Sequence, residues 1–262
     1  MNLYRRRSQD VSKHKQSQAG LLEWHELFNI HSHITGVILF ITLPFLTYME
    51  RTNLALVQTG DIVALSLFFF GVATCFFLSA AYHTFGNHSP RVAALGNQFD
   101  YLGIIILMWG ATIPSVYYGF HCELRLQMQY WLVISMLALA CATATLHPRF
   151  RHPTLRKYRA VMYSSLGFSS VIFVIHGLIL YGWERQMKRM SLDWMAATAS
   201  FNVMGAIAYA IRIPERWSPY TFDFFGSSHQ ILHVMVIISG LAHMMGLLRA
   251  LDYIKVHETH CI

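Results

Sequence analysis

The sequence predicts an all-α membrane protein: a seven-transmembrane helix bundle with its N-terminus in the cytosol and its C-terminus outside or in a lumen. Three observations carry that prediction. The chain is 55% hydrophobic and only 13% charged, about half the charged fraction of a soluble domain. Its apolar residues fall into seven blocks separated by short polar loops, each near the roughly 20 residues a helix needs to cross a bilayer. Its lysines and arginines divide unevenly between the two sides that those blocks define.

Residues 1–29 form a basic arm, with Arg5-Arg6-Arg7, Lys13 and Lys15 ahead of any apolar run. A signal peptide would place its apolar core nearer the start and follow it with a small-residue cleavage site. The arm is therefore expected in the cytosol, followed by a retained first helix. The membrane domain is expected over residues 30–249, and residues 250–262 form a short tail. Block one runs from Ile30 into Glu50-Arg51, and the others lie near 62–85, 100–119, 129–147, 161–182, 192–212 and 227–249. Pro44 and Pro114 fall inside blocks one and three; neighbouring groups in a bundle take over the freed carbonyl, so kinks without breaks are expected. Gly36, Gly71, Gly103, Gly167, Gly205 and Gly240 allow close helix contact. None sits in a clear small-xxx-small pair, so no oligomeric state is read from them.

Orientation follows from Lys and Arg alone. The arm and the loops after blocks two, four and six hold thirteen of the twenty; the opposite side holds seven. That difference places the N-terminus in the cytosol, although Arg185, Lys188 and Arg189 work against it. The net charge of +7 does not point to nucleic acid, because the basic residues lie between apolar blocks instead of forming one surface interleaved with aromatics. Cys75 and Cys141 lie inside blocks, Cys122 in a loop and Cys261 in the tail, with no Cys-x-x-Cys spacing. Cys122 and Cys261 would pair only if both face an oxidising compartment.

This topology brings particular polar residues to one depth. His229 and His233 are four apart at the head of the last block, on one helix face about one turn from each other. Block two ends on the same side with Ser79 and His83, also four apart, and block three starts there with Asp100. Ionisable residues in a bilayer are costly and usually face the bundle interior. Each of these residues has a plainer reading: Asp100 as a helix cap, His83 as an interfacial histidine, Ser79 bonded to its own helix backbone. Their shared depth favours a common site. Three neutral imidazoles from His83, His229 and His233 leave one position open on a tetrahedral zinc. A water held there would approach a pKa of about 7. Asp100 would orient or deprotonate it, and Ser79 would bond the water or a developing oxyanion. The chemistry suggested is hydrolysis of a carbonyl substrate reached from the membrane.

Other histidines compete for attention. His31 and His33 flank the start of block one, where an interfacial place is expected, although His33 has the reach to support a ligand. His176 and His243, in blocks five and seven, would suit a bis-histidine haem and an electron carrier. The polar residues beside His83 and His229 suit a metal-bound water better than a haem edge.

Several stretches together resemble the progestin and adiponectin receptor family, which includes the fungal zinc-homeostasis membrane proteins and is related to the haemolysin-III proteins. They are Glu26-Leu27-Phe28-Asn29-Ile30-His31-Ser32-His33, Ser79-Ala80-Ala81-Tyr82-His83-Thr84 with His88-Ser89, and Asp100-Tyr101-Leu102-Gly103. Further along they are Ile213-Pro214-Glu215-Arg216-Trp217, Phe222-Asp223 and Ser228-His229-Gln230-Ile231-Leu232-His233. The similarity spans residues 24–247. It implies a seven-helix bundle with zinc near the cytosolic leaflet, held by His83, His229 and His233, with Asp100 holding a water and Ser79 beside it. Through the related alkaline ceramidases, it implies zinc-dependent hydrolysis of the ceramide amide. The other activity it implies is that of a receptor or zinc-homeostasis regulator with structural zinc, answering to an extracellular protein or lipid ligand. The chain differs from the animal hormone receptors in lacking a long N-terminal domain and in carrying His31 where they often have an aromatic residue. Those differences favour a fungal-type member over adiponectin as ligand. The implied place is a plasma membrane or an endomembrane.

Overall fold

The computed structural model describes residues 26–49, 57–151, 153–218, 221–222 and 225–258. Residues 1–25 of the basic arm, Glu50, Arg51, Asp223, Phe224 and Cys261 lie outside the described residues. Among the described residues, seven helices are long and apolar enough to cross a membrane and no strand occurs. They are α1 Glu26–Met49, α2 Thr59–Phe85, α3 Pro90–Gly119, α4 Leu124–Leu146, α5 Arg156–Arg189, α6 Leu192–Ile211 and α7 Ser228–His257. Their outward faces carry exposed Phe45, Leu132 and Ile179, as expected where the solvent is lipid. The chain is a multi-pass integral membrane protein.

Several helices outrun their apolar blocks, each for a local reason. The third starts at Pro90, well before residue 100. Ser89 accepts a hydrogen bond from the Val92 amide at 3.3 Å, and Pro90 at the first helical position has no N–H to leave unsatisfied. Asp100 is therefore internal to α3, and the reading of it as a helix cap does not hold. α4 starts at Leu124, its first turn carrying the buried Gln127, which donates to the Phe120 and Tyr117 carbonyls at 2.9 and 3.2 Å. The Tyr117 carbonyl is in the last turn of α3 and Phe120 is its C-cap, where carbonyls run out of helical partners. α5 departs from helical geometry at Gly182, with φ 75° and ψ 169°, a left-handed conformation that glycine adopts freely. Helix resumes to Arg189. α7 runs beyond residue 249 to His257.

α2 and α3 form the closest helix pair. A Cβ on Gly71 would lie 2.9 Å from the Ile106 carbonyl oxygen, and one on Gly110 would lie 2.6 Å from that of Leu67. Glycine is needed where backbones approach this closely, so these positions serve contact within the chain. On the other side of α2, Phe40, Phe68, Phe76, Leu247 and Leu251 of α1, α2 and α7 form one buried cluster. α6 rests on α7 and scarcely touches α5.

The end of the bundle opposite His83 and His229 is tied by charge. Lys255 of α7 meets Asp61 of α2 at 2.7 Å, with both side chains buried, and Asp61 also accepts from the Gln58 amide at 2.8 Å. Removing one partner of such a pair costs about 3–5 kcal/mol. Glu258 takes Arg185 and Arg189 at 2.8 and 2.5 Å, and its backbone carbonyl accepts from His121 Nε2 at 3.1 Å. Cys122, beside His121, is disulfide-bonded, whereas Cys75 and Cys141 are buried free thiols.

Candidate metal centre

At the other end, α2 and α7 present three histidines to one point. His229 Nε2 lies 3.0 Å from His233 Nε2 and 3.2 Å from His83 Nε2. The ligand atoms of this trio all fall within 4.8 Å of one another. A tetrahedral centre with nitrogen bonds of roughly 2.0–2.1 Å spaces its ligands about 3.3 Å apart, close to the spacing found. The trio could hold a metal ion.

Local sequence builds this convergence. α7 opens at Ser228 with Ser227 as its cap. Glu215, from the Pro214-Glu215-Arg216 run, accepts from the Ser228 amide at 2.9 Å and from its hydroxyl at 2.8 Å. Gln230 turns its carbonyl to the Gly226 amide at 2.7 Å. These bonds satisfy amides that a helix start leaves open, and they fix the turn carrying His229. His233 follows one turn deeper and is buried. On α2, His83 is buried one turn beyond Ser79, and Ser79 donates to the Asp100 carboxylate. Asp100, partly buried on α3, also lies within electrostatic reach of His83. A Cβ on Gly103 would sit 2.9 Å from the Cys75 Cα; the bare glycine lets α3 approach α2 one turn from Asp100. All five residues expected from the sequence therefore gather at one end of the bundle.

α1 closes the site. Glu26 Oε2 lies 2.6 Å from His83 Nδ1. Ser32 donates to the Asn29 carbonyl at 3.0 Å and faces His233 Nδ1 at 3.3 Å. His33 stacks on His233 with ring centroids 3.7 Å apart and planes 13° apart, and Phe76 flanks it at 4.9 Å. The interfacial place expected for His31 and His33 asks for exposure, which His31 has, bonding the Leu27 carbonyl at 2.7 Å. It does not hold for His33, which is buried because it falls on the inward face of α1. His176 and His243 do not meet. His176 bonds the Tyr130 hydroxyl at 2.8 Å, while His243 lies against the Ala111 carbonyl at 3.2 Å and Ser115 at 3.3 Å.

A family model for haemolysin-III-related proteins matches residues 23–244. The chain belongs to the haemolysin-III-related family. Among its relatives, the adiponectin receptor protein of Drosophila melanogaster is 38% identical over 90% of this chain and 52% of its own length. The ADIPOR-like receptor IZH2 of Saccharomyces cerevisiae is 32% identical over 88% of this chain and 73% of its own. The progestin and adipoQ receptor-like protein 1 of Caenorhabditis elegans is 34% identical over 85% and 51%. The chain thus spans about half the length of the fly and nematode relatives, and it is an adiponectin-receptor-like seven-helix membrane protein.

In this haemolysin-III-related chain, sequence reasoning gave no role to Glu26, Asn29 and Ser32 of α1 and weighed only His33 there as a support for a ligand. Glu26, Asn29 and His33 stand three and four residues apart, a polar stripe on one face of an otherwise apolar helix. That spacing was the available signal. Tyr209 of α6, whose ring centroid lies 5.4 Å from that of His229, offered none.

Proposed function

We propose that this protein is a zinc-dependent amide hydrolase acting within the membrane on ceramide, releasing sphingosine and a fatty acid. The observation that carries the reading is the convergence of the three Nε2 atoms of His83, His229 and His233, because three neutral nitrogen donors suit zinc and leave a coordination position open. Zinc bound there polarises a carbonyl oxygen and brings the pKa of water to about 7. The remaining work falls to the chain. Asp100, within electrostatic reach of His83, takes the proton of an attacking water and returns it to the leaving amine nitrogen. Ser79 holds the carboxylate in place through its hydrogen bond. A two-tailed lipid suits a site walled by membrane helices, with α6 leaning on α7 and scarcely touching α5.

The test is metal analysis of the purified protein together with ceramide hydrolysis by wild type, His229→Ala and Asp100→Asn. His229→Ala should lose metal and turnover together. Asp100→Asn should keep the metal and lose turnover by about 10²–10⁴-fold, the usual worth of a positioned acid–base group. Undiminished hydrolysis by a metal-free His229→Ala protein would overturn the reading. A second reading, a receptor or zinc-homeostasis regulator in which zinc is structural, draws on the fly and yeast relatives, both named as receptors. Stoichiometric zinc in the wild type with no turnover would favour it.

A further inference from the structure

We propose that α1 is the element that fixes the ligand histidines for the metal, with Glu26 as the positioning residue for His83 and Ser32 in the same role for His233. The inference rests on the metal reading above. A carboxylate only accepts hydrogen bonds, so the 2.6 Å contact between Glu26 Oε2 and His83 Nδ1 assigns the ring proton to Nδ1. A neutral imidazole protonated there presents a lone pair at Nε2, the atom that faces His229 at 3.2 Å. His233 meets two acceptors on α1, the Asn29 carbonyl and the Ser32 oxygen at 3.3 Å from Nδ1, whose own proton goes to that same carbonyl, so the ring proton belongs on Nδ1. His233 Nε2, 3.0 Å from His229 Nε2, is then likewise left as a lone pair. The contact to Ser32 is longer and uncharged, and Glu26 is the stronger partner.

Charge points the same way. Three neutral imidazoles leave a divalent ion with its full charge, in a place where uncompensated charge is costly. Asp100 and Glu26 bring two carboxylates to the site, one from α3 beside Ser79 and one from α1 against His83 Nδ1. Glu26 thus does two things: it sets the tautomer through its hydrogen bond, and it offsets the ion through its charge. Glu26→Gln keeps an acceptor and loses the charge, whereas Glu26→Ala loses both.

The experiment is zinc affinity of the full chain in detergent, measured by competition with a chelator, beside the visible absorption of the cobalt-loaded protein. Outer partners of metal-bound histidine are typically worth about 10–100-fold in affinity. Glu26→Ala should weaken zinc binding by that factor and shift the cobalt bands. Glu26→Gln should fall between it and wild type, and Ser32→Ala should show a smaller loss. Should Glu26→Ala fail to fold, Glu26→Gln carries the test alone. Wild-type affinity in both Glu26 variants would overturn the inference while leaving the metal reading standing. So would a lowered melting temperature with unchanged zinc affinity, the signature of a mere ion pair between α1 and α2. A wild-type chain that takes up no zinc would overturn both.

Discussion

His33 packs its ring between His233 and Phe76, and neither of its nitrogens meets a protein hydrogen-bond partner. A buried polar atom without a partner costs about 1–3 kcal/mol, so the ring is held by its shape. His33→Phe keeps the stacked ring and removes both nitrogens. It should melt at or above the wild-type temperature with the same zinc content, since the ligand atoms that converge belong to His83, His229 and His233. A fall in zinc content would instead make His33 part of the ligand set. The contrast with Asp100 shows what residue type alone reveals. Both are polar residues in apolar helices, yet Asp100 has Ser79 as a partner, and their shared depth was legible from topology. Glu26 was not, because it lies ahead of the apolar run that begins at Ile30, where residues read as part of the basic arm.

At the scale of elements, the start of α7 decides where His229 points. Burial works to raise the Glu215 carboxyl, but hydrogen bonds from its own backbone and from Ser228, with the charge of Arg212, outweigh it and hold the group below the usual carboxylate range. A depressed folded-state pKa means that this cap contributes fully above the ordinary glutamate value of about 4.3 and is lost as pH falls through the folded value. Glu215→Ala should cost about 1–2 kcal/mol, the upper range for a lost cap, and should weaken zinc binding through the loosened first turn. Denaturant unfolding as a function of pH checks this: the gap between wild type and Glu215→Ala should stay constant from neutral pH to near 4.3 and shrink on further acidification. A gap that widens there would refute it. Helix existence and number were legible because hydropathy reports the membrane-embedded turns. Helix ends were not, because polar turns at the interface, such as Pro90–Phe99 ahead of Asp100, continue a helix without adding hydropathy. Ser89-Pro90 was the readable signal there, as a cap residue before a first-turn proline.

At the scale of the molecule, two independent features bear on which end faces the cytosol. The charge count sets thirteen Lys and Arg on the side of His83 and His229 against seven on the other. Of those seven, Arg185, Arg189 and Lys255 are committed to Glu258 and Asp61, so they act as ties between helices. Arg249 is likewise paired with Asp193. The disulfide at Cys122, in the turn between α3 and α4 at the far end, belongs to an oxidising compartment. Both predict that the end carrying His83 and His229 faces the cytosol. In sealed microsomes, whose outer face is cytosolic, added protease should remove a tag fused to the N-terminus and spare one fused to the C-terminus. The reverse pattern would turn the bundle over and put the site in the lumen. Treating the same membranes with a reductant should leave the pattern unchanged, because the buried Lys255–Asp61 pair still fastens α7 to α2 once the disulfide is open.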